Sequence, residues 1–518
     1  MTTGKEWSSR HRVYKQGRRR LAHQPIESLI PLSGQDLTVI NRSPPCLLDL
    51  PNKILGDVVS HLRPCHAGSM TGFTQLAQSA KSGRAATADL SALSRTSKRL
   101  NALTERVLYK DIHLSAFRCE KLRQLLTSII TRPELAGYIA QIVFYQPPPD
   151  DWHENFGQLS ISLPDKATAK VNEAITPNFK AATGLAPRVW AKERWFDGLG
   201  TERQDARMAF LIFSAVNLEE LHIQYGPNQR DCMEYCYEVA GSVPRIFRRL
   251  KTVSIYGRSA GQCPDIGRYC FLPSLRKLSA WRYTSLSRVE APALALTSLE
   301  LKLVRISQED LLPLLSRCPS LQRLSLQGND TAHGELKLGP ILTVLQSTCQ
   351  LQELELRGIR FQLGPQSQRF TALSLLRWFS ELKKLSISAC IVMKPRVLII
   401  PSFEEQDLLP YQLPPTLTEL VLHHAILPLH MRDVLLHLSA LADCCAVGDL
   451  PTLKFIWLRI LYGDRQPTAQ QLTLIQKIRE KFASVSCKER GLSFHITSHM
   501  DSQITSHMET SLNTLGTT

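Results

Sequence analysis

Nine segments of the chain share one apolar pattern, Leu-x-x-(Leu/Val/Ile)-x-(apolar). They begin at Leu218 (LEELHI), Leu250 (LKTVSI), Leu275 (LRKLSA), Leu296 (LTSLEL), Leu321 (LQRLSL), Leu351 (LQELEL), Leu382 (LKKLSI), Leu417 (LTELVL) and Leu453 (LKFIWL). A tenth, weaker copy runs from Ile139 to Phe144 (IAQIVF). The last four positions of each copy alternate as a strand does, so the fourth and sixth residues share one face and the third and fifth the other. One face is core and the other is free. The connecting stretches carry helical periodicity: SQEDLLPLLSRC, with Ser307 as cap and Asp310 three residues on, then Thr371 to Phe379, Met431 to Ala442 and Gln470 to Phe482.

Strand followed by helix, repeated, predicts an α/β leucine-rich-repeat solenoid over 218–482, a horseshoe with its parallel sheet on the concave face and helices on the convex face. The copies start 21 to 36 residues apart, at and beyond the long end of the roughly 20–29 residues usual for such repeats. No single copy can bury its apolar face alone, so the array must fold together. The position three after the last apolar residue is often Asn or Cys in these repeats; Asn329 and Cys390 match, and the curve is expected to be uneven.

Ahead of the repeats, residues 1–45 show no sustained periodicity and are expected to form a disordered basic arm. In LLDLPNKILGDVVSHL, Pro51 suits a first helical turn, and Ile54, Leu55, Val58, Val59 and Leu62 recur at three-and-four spacing. Residues 63–88 are rich in Gly, Ser, Ala and Thr and read as a flexible insertion. Asp89 can then cap a helix carrying Leu90 and Leu93, followed by another with Leu100, Leu103 and Val107. A small all-α unit over 46–114 results. Residues 115–217 form an irregular first repeat and a connector holding Trp152, Trp190 and Trp195, and 483–518 a Ser/Thr-rich tail expected to be disordered.

LPNKILGDVVSHL together with DLSALSRTSKRLNALTERVLYKDIHL, spanning Leu50 to Tyr109 and beyond, resembles an F-box. Downstream, WFDGLGTERQDARMAFLIFSAVNLEELHI, RIFRRLKTVSI and FLPSLRKLSAWR are similar to the layout of fungal F-box proteins with leucine-rich repeats. The resemblance implies that the F-box docks onto a Skp-type adaptor, and through it a cullin-RING ubiquitin ligase of the SCF type, while the repeats hold a protein substrate. Leu50, Pro51, Ile54, Leu55, Val58, Leu62, Leu90 and Leu93 are the residues it would assign to the adaptor. Read from the residues alone, two outcomes stand: these side chains form a helix-in-groove anchor, or they close a small helical core with Leu100. An F-box-like unit that merely caps a scaffolding solenoid is the alternative to the ligase reading.

Substrate contact belongs on the free strand face, where the third and fifth residues point: Glu220, His222, Lys277, Arg323, Glu353, Glu355, Lys384, Phe455 and Trp457 are the candidates. Phe455 and Trp457 are adjacent outward aromatics, suited to anchoring a partner unless the helix from Gln470 to Phe482 covers them as a terminal cap.

Composition narrows the picture. The 518 residues are 43% hydrophobic and 21% charged, ordinary globular usage. No stretch approaches the roughly 18 apolar residues that span a bilayer, and the basic, polar N-terminus is not an apolar signal segment. An intracellular protein, in the cytoplasm or nucleus, with reduced cysteines is expected. The formal charge is +16; glutamates at 220, 300, 353, 355 and 419 on the free face argue against specific nucleic-acid binding. No phosphate-binding loop, dinucleotide fingerprint, nucleophile elbow or His-Glu-x-x-His motif occurs. Cys232, Cys236, Cys263 and Cys270 lack the tight paired spacing of a zinc site. A non-catalytic adaptor without metal or cofactor is expected.

Overall fold

The computed structural model describes residues 50–61, 88–115, 119–145, 204–225, 247–257, 265–281, 286, 294–304, 306–328, 336–357, 373–388, 409–425, 431–462, 469–483 and 491–500. The chain divides into two compact units, 1–51 and 52–518; of the first, only Leu50 and Pro51 are described. The basic arm, Leu62, most of the 63–88 insertion, the three tryptophans, Asn329, Cys390, Cys232, Cys236, Cys263 and the chain after 500 lie outside the described residues.

The second unit is α/β. Among the described residues it holds one sheet of twelve parallel strands in sequence order: β1 (Asp111–Ser115), β2 (Gln141–Tyr145), β3 (Glu220–Tyr225), β4 (Thr252–Gly257), β5 (Lys277–Trp281), β6 (Ser298–Lys302), β7 (Arg323–Gln327), β8 (Glu353–Arg357), β9 (Lys384–Ser388), β10 (Glu419–Ala425), β11 (Phe455–Tyr462) and β12 (Ser493–Met500). All ten predicted copies become strands. The described helices are α1 (Asn52–His61), α2 (88–94), α3 (Lys98–Leu108), α4 (Cys119–Thr131), α5 (Gln204–Ser214), α6 (Gln308–Ser316), α7 (Leu338–Thr348), α8 (Leu409–Gln412), α9 (Met431–Val447) and α10 (Ala469–Phe482).

Each strand from β2 to β11 is tied to its predecessor in the same way. Two successive backbone N–H groups at a strand's start donate to one carbonyl of the strand before: Gln352 and Glu353 to Gln322, Lys383 and Lys384 to Gln352, Thr418 and Glu419 to Lys383, Lys454 and Phe455 to Thr418. The same fork recurs back to Ala140 and Gln141 on Lys110, at 2.8 to 3.1 Å. It sets the register, so Leu324, Leu354, Leu385 and Leu420 align across β7 to β10. These residues are fully buried. They join Leu311, Leu314, Ile341, Leu342 and Leu345 of α6 and α7 in one contiguous core running from Ile112 to Phe482. Burying a leucine this completely contributes about 1.5–3 kcal/mol, and repeating it strand after strand is what pays for the ordered array.

Local signals hold where a cap defines the helix. Ser307 Oγ accepts from the Asp310 N–H at 3.1 Å and starts α6, as expected. Ser97 does the same for α3, accepting from Leu100 N–H. Asp89, expected to cap, lies inside α2 instead. Of the helix expected over 371–379, the described residues 373–378 are helical, ending in a 3₁₀ turn at Leu375–Trp378, where the N–H of buried Phe379 closes back on Leu376.

Two strands lie where none was expected as a repeat. β1 falls in the segment assigned to the helical unit and starts the sheet. β12 falls in the segment assigned to a disordered tail, and it pairs with β11 over eight residues, Phe455 opposite Ser493 through Tyr462 opposite Met500. Phe494 of β12 stacks on Phe482 of α10 with centroids 4.3 Å apart, which anchors the strand to the core face. The segment Ile-Thr-Ser-His-Met at Ile496, which the sequence repeats at Ile504, is therefore strand.

Among the described residues no helix is long and apolar enough to cross a membrane. Replacing Leu354 by Ala in the middle of the sheet should cost about 3 kcal/mol, and Ser307→Ala about 1 kcal/mol through the lost cap. Urea denaturation followed by circular dichroism measures both; an unchanged midpoint for Leu354→Ala contradicts the core assignment.

Candidate functional site

Two surfaces carry the residues singled out in the sequence. The first is α1. It packs on α3, burying Leu55 and Val59, one turn apart, against the side that holds Leu100 and Thr104. Arg99 Nε donates to Asn52 Oδ1 at 2.7 Å and fixes the crossing. Leu55, Val59, Leu90 and Leu100 do not belong to the contiguous core of the sheet, so these helices have a small core of their own. Leu55 and Leu90, expected at a partner, are 0% and 2% exposed and build that core instead. The three-and-four spacing supports two stripes, and only the outer one is free. Ile54 is 46% and Val58 38% exposed, large apolar side chains facing water. Leu93 is half-buried, Pro51 exposed and Leu50 half-buried.

α3 connects this unit to the sheet. Arg132, after α4, donates Nη1 and Nη2 to Glu105 Oε1 and Oε2 at 2.5 and 2.8 Å, and its Nε to Glu134 at 2.9 Å. Those two carboxylates hold the Arg132 guanidinium more firmly protonated than usual. The pairs are exposed, so they orient α3 more than they stabilise it.

The second surface is the sheet face turned away from the core. Its first outward row reads Glu220, Thr252, Lys277, Ser298, Arg323, Glu353, Lys384, Glu419 and Phe455, each beside the next. Charges alternate in one stretch: Arg323 to Glu353 at 3.3 Å, Lys384 to Glu353 at 3.9 Å and to Glu419 at 3.4 Å. Glu220 pairs instead with His222 at 3.5 Å and accepts from Gln141 at 2.8 Å, contacts that hold its carboxyl below the usual range, with His222 the larger cause. His222 is buried rather than presented. Glu220 and His222 on β3 lie five strands from Glu353 and Glu355 on β8, roughly 24 Å. The expected residues therefore do not converge on one small-molecule site; Arg323, Glu353, Glu355 and Lys384 do converge, on β7 to β9.

Around them is a pocket of about 180 Å³, also lined by Arg357, Ser386, Glu419, Val421 and Arg459. Glu355 accepts from Ser325 Oγ at 2.8 Å and pairs with Arg357 at 2.5 Å. Arg357 Nε reaches Ser386 Oγ at 3.4 Å, and that hydroxyl meets His423 Nε2 at 2.9 Å. Burial, then the charges of Arg357 and Arg459, push His423 down to about 3. Burial likewise weakens the hold of Arg357 on its proton, opposed by Glu355 and reinforced by Arg459.

The six-residue pattern stops short of Arg357, His423 and Arg459. The strands run further, and a third outward row follows two residues after the second: Tyr256, Trp281, Lys302, Gln327 and Arg357 on β4 to β8, then His423 and Arg459 on β10 and β11. Strand parity alone would have placed them. Trp281 meets Tyr256 edge-on and takes Lys302 over its ring at 5.0 Å. Phe455 is 43% exposed. Trp457 stacks on His495 of β12, centroids 4.6 Å apart, so a neighbouring strand flanks it where a covering helix was the expected alternative; α10 packs on α9.

Among the described residues no group of three or more His, Cys, Asp or Glu side chains could hold a metal ion. Cys270 and Cys318 are buried and bond to the carbonyls of Ile266 and Leu314; burial raises both thiols well above their ordinary value. The chain matches no family model and no curated protein sequence.

The depressed His423 has a measurable consequence. Between pH 6.5 and about 3 only the unfolded chain takes up this proton, so stability falls as pH falls through that window. His423→Gln, which keeps a partner for Ser386, should flatten that part of the stability–pH curve, read as denaturation midpoints at pH 7, 5.5 and 4. A His423 imidazole that titrates by NMR near 6.5 contradicts the buried, Arg-flanked placement.

Proposed function

We propose that this chain is a non-catalytic substrate-recognition subunit of an SCF-type cullin-RING ubiquitin ligase, its N-terminal helical unit an F-box that docks on a Skp-type adaptor and its leucine-rich repeats the receptor for a protein substrate. The observation that carries the reading is the division of α1 into two stripes. Leu55 and Val59 close the helical core while Ile54 and Val58 stay in water. Helix α1 thus offers a rigid apolar edge at no cost to its own packing, the arrangement by which a helix anchors in a groove. A solenoid cap would turn that edge toward the first strand. Here the helical unit meets the sheet through α3 and the Arg132 pairs, on a different side chain set.

The receptor half of the reading rests on the open sheet face. Its residues on β7 to β11 alternate in sign, with aromatic side chains at the β11 end. Such a surface suits a mixed-charge protein partner; a polyanion would meet Glu353, Glu355 and Glu419.

Co-purification of the tagged full-length chain with a Skp-type adaptor tests the proposal. The wild type should retain the adaptor, and an Ile54→Asp, Val58→Asp pair should lose it by roughly a hundredfold with unchanged circular dichroism, since both side chains are already solvated. Leu55→Ala, by contrast, should lower the stability of the helical unit by about 3 kcal/mol. A folded wild type that retains no adaptor overturns the ligase reading in favour of a scaffold, and retention by the double Asp variant overturns the assignment of the edge.

A further inference from the structure

Among its described lining residues the pocket on β7 to β11 contains four cations and three carboxylates, and the ion pairs account for all three carboxylates. Glu353 is shared by Arg323 and Lys384, Glu419 is held by Lys384, and Glu355 by Arg357. Arg459 is left over: it lines the pocket and has no acidic partner among the described residues. It lies close enough to Arg357 and His423 for its charge to disfavour protonation of both. A half-buried guanidinium without a counter-ion, beside a second one, is a cost unless an anion arrives from outside. His423 adds no further positive charge, because buried beside the two arginines it stays neutral.

The neighbours of Arg459 on the same face of β11 are Trp457 and Phe455, with Val421 opposite Trp457. Phe455 is exposed and Trp457 is propped by His495. Residues two apart on a strand are about 6.6 Å apart on one face. An extended peptide lying along the strand has the same repeat, so an acidic side chain over Arg459 brings the residue two positions away over Trp457.

We propose that this end of the open face binds an extended segment of a protein partner that carries an Asp or Glu seated at Arg459 and Arg357 and, separated from it by one residue, an apolar or aromatic side chain seated on Trp457. Charge complementarity selects the occupant: an acidic side chain supplies the missing counter-ion, and a lysine at that point would face two guanidinium groups. The proposal deepens the receptor reading and rests on it, yet its test needs no adaptor, so the two can fail separately.

The probe is an array of nine-residue peptides in a Gly/Ser background, each with one Glu and one Phe at every spacing and in both orders, matched by copies with Lys for Glu and Ser for Phe. Purified full-length protein should bind best where one residue separates Glu from Phe, preferring Glu over Lys by roughly tenfold or more. Arg459→Glu should abolish the preference, Arg459→Lys should keep part of it as a point charge, and Trp457→Ala should erase the dependence on Phe. Lys477→Glu, the same charge change on exposed α10, should alter nothing. Equal binding of Glu and Lys peptides, no binding of any peptide, or an Arg459→Glu chain that binds as wild type overturns the proposal. If that happens while the adaptor is still retained, the ligase reading stands and only this site falls.

Discussion

The forked backbone hydrogen bonds at the start of β2 to β11 are the constraint on which everything else in the sheet depends. Because two successive N–H groups share one carbonyl at the entry of the preceding strand, each of these strands enters in the same register as its neighbour. A slip of one residue would swap the faces, putting Leu354 and Leu356 into water and Glu353, Glu355 and Arg357 into the core. The apolar period makes that slip prohibitively costly, so burial and register enforce each other over twelve strands.

The same constraint creates the open face. One side of each strand is committed to the core, so the other is organised into straight rows of side chains with fixed neighbours. Rows convert a one-dimensional sequence into a patterned surface: Arg323, Glu353, Lys384 and Glu419 become a line of alternating charge, and Arg357, His423 and Arg459 become an electrostatic cluster. The exposed pairs of that line individually contribute little to stability. Their effect is to decide which partner charge is welcome at each point. The helical unit at the start of the sheet works differently. Its packing is local, it has its own small core, and the side chains it leaves outside form an edge rather than a row.

Much of this was legible in the sequence because the repeating unit is short and its apolar positions are nearly all leucine. Strand positions, the parallel order and the α6 cap at Ser307 followed from pattern and cap chemistry. The two outer strands fall outside the leucine pattern because its first position is held by Tyr109 before β1 and by Gly491 before β12, at φ +70°. The division of α1 was invisible for a different reason: Ile54, Leu55, Val58 and Val59 have the same hydrophobicity, and only the crossing with α3 decides which pair is buried. On the open face, sequence gave the first two rows and not the third, since strand length is set by pairing with the neighbour and not by the apolar motif. Which outward residues converge also depends on strand-to-strand distance, so Glu220 and Glu353, alike in sequence, end up in separate neighbourhoods.

The central claim is that the chain presents two independent surfaces, an apolar edge on α1 and a charge-patterned sheet face. Hydrogen–deuterium exchange of the full-length chain with and without a Skp-type adaptor tests it most directly. Docking through α1 predicts slower exchange over Asn52–His61 and no change in β8 to β11. Slower exchange in β8 to β11, or an α1 that the adaptor leaves untouched while it binds, would contradict it.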